Sequence, residues 1–145
     1  MGLFQCVYNM QPKNNLELYS LLTDEERIMV DVLRQIILEV LPPHCYEKLT
    51  NNVPYFFGNR RICLVWPASI KGGGIKKGVL FGFSYGNRLP DKEKYLDHGT
   101  NKRIFYKIFT SVNEIKIRPI KKILKEAVAL DAAFSKTKKN YSPKY

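Results

Sequence analysis

The chain predicts a single α+β domain: an antiparallel sheet of four or five strands packed by an N-terminal and a C-terminal helix. Three observations carry this. At 145 residues the chain is long enough for one core and too short for two ordinary domains. A helical apolar period fills the first third, and from Val53 it gives way to β-branched and aromatic runs punctuated by glycine turns. The helical period returns after Ser111.

In chain order, Asn14 to Leu22 fits a short helix, with Leu18, Leu21 and Leu22 at helical spacing. Thr23 followed by Glu26 is a capping box, and Asp24, Glu25 and Glu26 suit the positive end of a helix dipole. Met29, Val30, Leu33, Ile36, Ile37, Val40 and Leu41 then mark one buried face of a helix over Thr23–Leu41. Pro42-Pro43 ends it, because neither residue can donate the next helical hydrogen bond. His44 to Leu49 is read as one further helical turn.

Val53–Phe57 and Arg61–Trp66 read as strands joined by a Gly58-Asn59-Arg60 hairpin, closed by Pro67. Lys71 to Gly78, with Gly72-Gly73-Gly74, is a flexible connector, and Val79–Tyr85 resumes as a strand. Gly86 to Lys102 is polar with repeated turn signals, and Ile104–Phe109 is the last strand. Ser111 and Glu114 form a second capping-box pattern before a helix over Pro119–Leu130, with Ile117, Ile120, Ile123, Leu124, Ala127 and Val128 as its apolar face. The resulting division is an N-terminal arm at 1–14, the domain at 15–131 and a basic flexible tail at 132–145, where four lysines meet no acid.

Composition narrows the function classes. No apolar run approaches the roughly 18 residues of a membrane span, so no membrane partner is expected. Asn9, Gln11, Pro12 and Lys13 break the short apolar start, which resembles neither a secretory leader nor, with Cys6 in place of Ser or Thr, a myristoylation pattern. Three cysteines without paired spacing point to reduced thiols and a cytoplasmic location. The net charge of +11 is lopsided: residues 1–100 carry 12 Lys/Arg against 10 Asp/Glu, and residues 101–145 carry 12 against 3. Such a field favours anionic small molecules and polyanions, nucleic acid included. Arg118, Lys121, Lys122 and Lys125 recur as a stripe opposite the apolar face of the last helix.

Several patterns resemble chemistry without its context. Gly82-Phe83-Ser84-Tyr85-Gly86 matches a nucleophile elbow, yet a polar loop follows it instead of a helix. The triple glycine flanked by Lys71, Lys76 and Lys77 invites a phosphate-cradle reading, but Gly78 is followed by Val79 where a P-loop needs Lys-Ser/Thr. His44 beside Cys45 and His98 beside Asp97 lack metal-ligand spacing, so no metal or cofactor is expected. Tyr55, Phe56, Phe57 and Trp66 are read as core. The best candidate ligand site is the long polar loop and the strand after it: Asn87, Asp91, Gly99, Thr100, Lys102, Arg103 and Tyr106.

The order Leu41-Pro42, Glu47-Lys48-Leu49, Val53-Pro54-Tyr55-Phe56, Gly82-Phe83, His98-Gly99-Thr100-Asn101-Lys102, Ser111 with Glu114-Ile115 and Glu126-Ala127-Val128 resembles the YdhG-like domain-of-unknown-function family over roughly residues 15–131. The chain departs from the family pattern at Asn51-Asn52, at Asn101 and at Phe105-Tyr106. The resemblance implies an α+β fold, sometimes compared with frataxin, and it brings an intracellular iron chaperone as an alternative function. The residues themselves point to a non-catalytic binding module for an anionic ligand or partner, engaged through Lys102, Arg103 and the basic C-terminal helix, with an enzyme of unrecognised type as a further alternative.

Overall fold

In a computed structural model, residues 11–137 are described. Five strands form one antiparallel sheet in sequential order: β1 (Tyr46–Thr50), β2 (Val53–Phe57), β3 (Arg61–Pro67), β4 (Val79–Phe83) and β5 (Phe105–Phe109). Three helices accompany them: α1 (Asn15–Ser20), α2 (Asp24–Val40) and α3 (Ile117–Thr137). This is the single α+β domain that the periodicities predict.

The capping box of α2 is formed as expected: Thr23 Oγ1 accepts from Glu26 N at 3.2 Å, and Glu26 Oε1 accepts from Thr23 N at 3.4 Å. Met29, Val30, Leu33 and Ile37 of α2 and Ile120 and Leu124 of α3 are buried in one core. Because side chains alternate along a strand, the register separates two sheet faces. Phe56, Cys63 and Phe83 lie in one cross-strand row and Val65 and Phe81 in the next, all at most 1% exposed beneath the helices. The opposite row runs Lys48, Tyr55, Leu64, Gly82, Tyr106 from β1 to β5.

Three expectations are corrected. First, the stretch read as a helical turn at 44–49 is mostly β1, an edge strand. Asn51 and Asn52 both adopt positive φ (54° and 70°), the condition for a tight two-residue hairpin turn, and so join β1 to β2. Glu47 then faces the helices, where Arg34 of α2 holds it through two hydrogen bonds of 2.5 and 2.7 Å. Second, Ser111 does not cap α3. It caps a single 3-10 turn, Val112–Glu114, and Glu114 accepts from Thr110 N at 2.7 Å. Third, α3 does not stop near residue 131 but continues through Thr137, with Phe134 only 8% exposed. Phe134 is an apolar anchor among lysines, and it seats this last stretch on the domain. The tail residues from 138 onward and most of the arm at 1–14 lie outside the described residues.

Candidate functional site

Two structural accidents of β2 and β3 create the most distinctive surface. A register shift at Phe56/Phe57 breaks the alternation. Ile62 of β3 is the extra residue, and the shift brings Arg61 opposite Phe57, which ordinary alternation already places on the outer face beside Tyr55. The rings of Tyr46 and Phe57 stack at 5.3 Å with 13° between planes, and Phe57 stacks on Tyr55 at 6.3 Å and 27°. The Arg61 guanidinium lies over the Tyr55 ring, 5.7 Å from its centroid.

The hairpin that carries Arg60 and Arg61 is fixed from a distance. Asp131 of α3, 4% exposed, accepts from Asn59 N at 2.8 Å and from Arg60 N at 2.9 Å, and its carbonyl accepts from Asn59 Nδ2 at 3.0 Å. Gly58 is required here, because a Cβ on it would collide with the Asp131 carboxylate. Beyond the hairpin, Arg60 and Arg88 place their guanidinium groups over the Phe134 ring at 4.1 and 5.0 Å. Phe134 in turn packs on Tyr85 at 5.0 Å. Arg103 lies over the other available ring, Tyr85, at 5.3 Å.

These elements enclose a cleft of about 410 Å³ lined by Tyr46, Phe57, Gly58, Asn59, Arg60, Arg61, Tyr85 and Arg103. Its size falls in the range of small-molecule sites. Three arginines and three aromatic rings line it, with no carboxylate among them. Cation–π contacts hold the Arg61 and Arg103 guanidinium planes in place, and such contacts leave N–H edges able to donate.

A second cleft of about 330 Å³ opens on the same outer face. Tyr55, Leu64, Trp66, Leu80, Tyr106 and Ile108 form its floor, and Gly72–Ile75, Asn101 and Ile104 form its rims. The glycine loop is therefore a strap lying on the indole of Trp66, whose Nε1 donates to Ile70 O at 2.7 Å. It does not cradle a phosphate: Lys76 and Lys77 line a depression shared with Asp24, Glu25 and Glu26, whose carboxylates oppose an anion.

The residues expected to form one ligand site are divided among three places. Arg103 lines the arginine cleft, and Tyr106 lines the outer-face cleft, with its Oη 3.0 Å from where a Cβ on Gly99 would stand. Asn87 is exposed and donates its backbone N–H to Arg103 O at 3.1 Å. Asp91 belongs to neither cleft: its carboxylate accepts from Tyr95 N and Leu96 N at 2.9 and 3.0 Å, and its own N–H donates to Glu126 of α3. Asp91 thus closes a loop instead of meeting a ligand. Thr100 and Lys102 are exposed and line neither cleft.

The stripe on α3 is in place but partly neutralised. Lys121 pairs with Glu39 at 3.0 Å and Lys122 with Glu93 at 2.9 Å, while Arg118 and Lys125 are exposed. Along the helix axis, at about 1.5 Å per residue, Arg118 lies roughly 20 Å and Lys125 roughly 9 Å from Asp131, and none of the four stripe residues lines the arginine cleft.

The other candidate chemistries find no partners. Ser84 is buried, and a single 3-10 turn at Gly86–Arg88 follows it. His98 packs on Phe105 at 4.9 Å, and its Nδ1 lies 2.9 Å from Gly99 O. Complete burial pushes the Cys63 thiol well above its usual range, consistent with a small core residue. Among the described residues, no three His, Cys, Asp or Glu side chains gather to hold a metal ion, and no helix is long and apolar enough to cross a membrane.

No family model, curated protein or solved structure matches the chain. The functional argument therefore rests on the clefts.

Proposed function

We propose that this protein is a non-catalytic binding module, and that the arginine cleft receives the anionic group of its ligand or partner. The observation that carries the reading is the lining itself: Arg61 and Arg103 stand around about 410 Å³, with aromatic walls and no carboxylate among the described lining residues. A guanidinium offers paired N–H donors matched to phosphate or carboxylate oxygens. Low-dielectric walls strengthen that attraction relative to open water. Arg103 is the residue that this reading shares with the polar-loop site, and Lys102 and the α3 stripe contribute long-range attraction rather than contact. Nothing in the cleft pairs a nucleophile with a base, so recognition is the chemistry it supports.

A YdhG-like membership and a cytoplasmic setting go with this reading. The first is supported by the motif order on an α+β sheet, the second by Cys45 and Cys63 being free thiols. The iron-chaperone alternative rests on the resemblance alone, since Glu26 is engaged in the α2 cap and Asp24 pairs with Arg27.

Calorimetry with inorganic pyrophosphate at about 50 mM salt, where counterion competition is weak, tests the proposal. Binding is expected, and Arg61→Gln with Arg103→Gln should weaken it about tenfold or more, since each removes a charge-assisted contact. No binding, or an unchanged affinity in the double variant, overturns the reading.

A further inference from the structure

We propose that the anion received by the arginine cleft is the backbone of single-stranded nucleic acid, whose bases stack on Tyr46 beside that cleft. The inference rests on the anion-binding reading and adds a base-recognising surface to it. Its starting point is Tyr46, 53% exposed on an edge strand and yet held nearly coplanar with Phe57. An exposed edge tyrosine alone has no meaning. Here it is the outermost ring of a three-ring stack, Tyr46–Phe57–Tyr55, and Tyr46 and Phe57 form walls of the same cleft as Arg61 and Arg103. One flat apolar face therefore stands beside clustered guanidinium groups, the combination that single-strand binders use for bases and phosphates together.

Next to Tyr46 the outer face is mostly closed, with Tyr55 and Leu64 only 7% and 5% exposed, so the exposed stacking face is that of Tyr46 itself. Tyr55 lies between the clefts: its ring stacks on Phe57 of the first and lines the second. From there the row continues through Leu64 and Gly82 to Tyr106 on β5. Strand spacing makes this roughly 14 Å from β2 to β5. Asn101 and Tyr106 offer amide and phenol groups to base edges. Lys48 shares this face opposite Tyr55, and Asp97, paired with Tyr106 at the far edge, places one carboxylate where the strand would leave. Base pairing in a duplex hides the base faces that such a stack needs, and an acidic peptide lacks them, so single strands are the polyanion the rings favour.

Fluorescence anisotropy with a labelled oligothymidylate of about 12 nucleotides, within the usual site sizes of such surfaces, tests this against a duplex of equal length and against inorganic pyrophosphate. The single strand is expected to bind at least tenfold more tightly than the duplex. Tyr46→Ala should weaken oligothymidylate about fivefold or more, the lower end for losing one stacked base, and by a larger factor than it weakens pyrophosphate; equal losses for the two ligands would assign the effect to the cleft wall and overturn the inference. Tyr46→Trp should retain or raise the affinity, which separates loss of stacking from damage to β1. Equal affinity for duplex, or an unchanged affinity in Tyr46→Ala, overturns the inference. If pyrophosphate binds and the oligonucleotide preference is absent, only this inference falls; if pyrophosphate also fails to bind, the anion-binding reading falls with it.

Discussion

Asp91 shows how a residue that advertises function can be explained by its neighbours. Its φ of 37° marks a tight turn, and its two carboxylate oxygens receive consecutive backbone N–H groups, those of Tyr95 and Leu96. Tyr95 carries the consequence. Burial, with the Asp91 charge adding to it, pushes its phenol up to about 12. The neutral phenol is the form the fold prefers, so its contribution to stability is complete below about pH 10, the unfolded value, and is lost as pH rises toward 12. Urea unfolding followed across that alkaline window should therefore show falling stability, and Tyr95→Phe should flatten the fall. An identical slope in the variant would assign the effect to Tyr19, whose phenol burial also raises.

At the scale of elements, the helices were the most legible. α2 carries its start signal, its apolar period and its proline stop within about twenty residues, so local sequence determines it. β1 was missed because its evidence is a turn: Asn51-Asn52 tolerates left-handed backbone, and only then does Tyr46–Thr50 pair as a strand. The extent of α3 was missed because one buried ring outweighs four lysines. Phe134 packs on Tyr85 between Arg60 and Arg88, and Phe134→Ala should cost about 3 kcal/mol, typical of a buried aromatic truncation. Thermal unfolding should show a loss of several degrees; a shift within about one degree would return 132–137 to the tail. As for the clefts, Arg103 and Tyr106 were visible as polar residues of a loop. Tyr46, Phe57, Arg60, Arg61 and Tyr85 were not, because a bulge and a contact across 72 residues bring them together, and no local spacing records either.

For the whole molecule, the charge that dominates the composition and the charge that shapes a site are different sets. The C-terminal excess includes the α3 stripe, where Lys121 and Lys122 already have carboxylate partners. Replacing Arg118, Lys121, Lys122 and Lys125 with glutamine should leave helix content unchanged, since propensities are similar. It should flatten the salt dependence of polyanion binding and slow association, while leaving pyrophosphate affinity within about twofold. A loss of pyrophosphate binding as large as that from the Arg61 and Arg103 variants would move the site onto the stripe.

The Asp131 contact also orders events in time. Asn59 and its anchor are separated by 72 residues, so every strand of the sheet is translated before the residue that holds the hairpin. The walls of the arginine cleft therefore wait on α3: until that helix has docked, the hairpin that carries Arg60 and Arg61 lacks the carboxylate that fixes it.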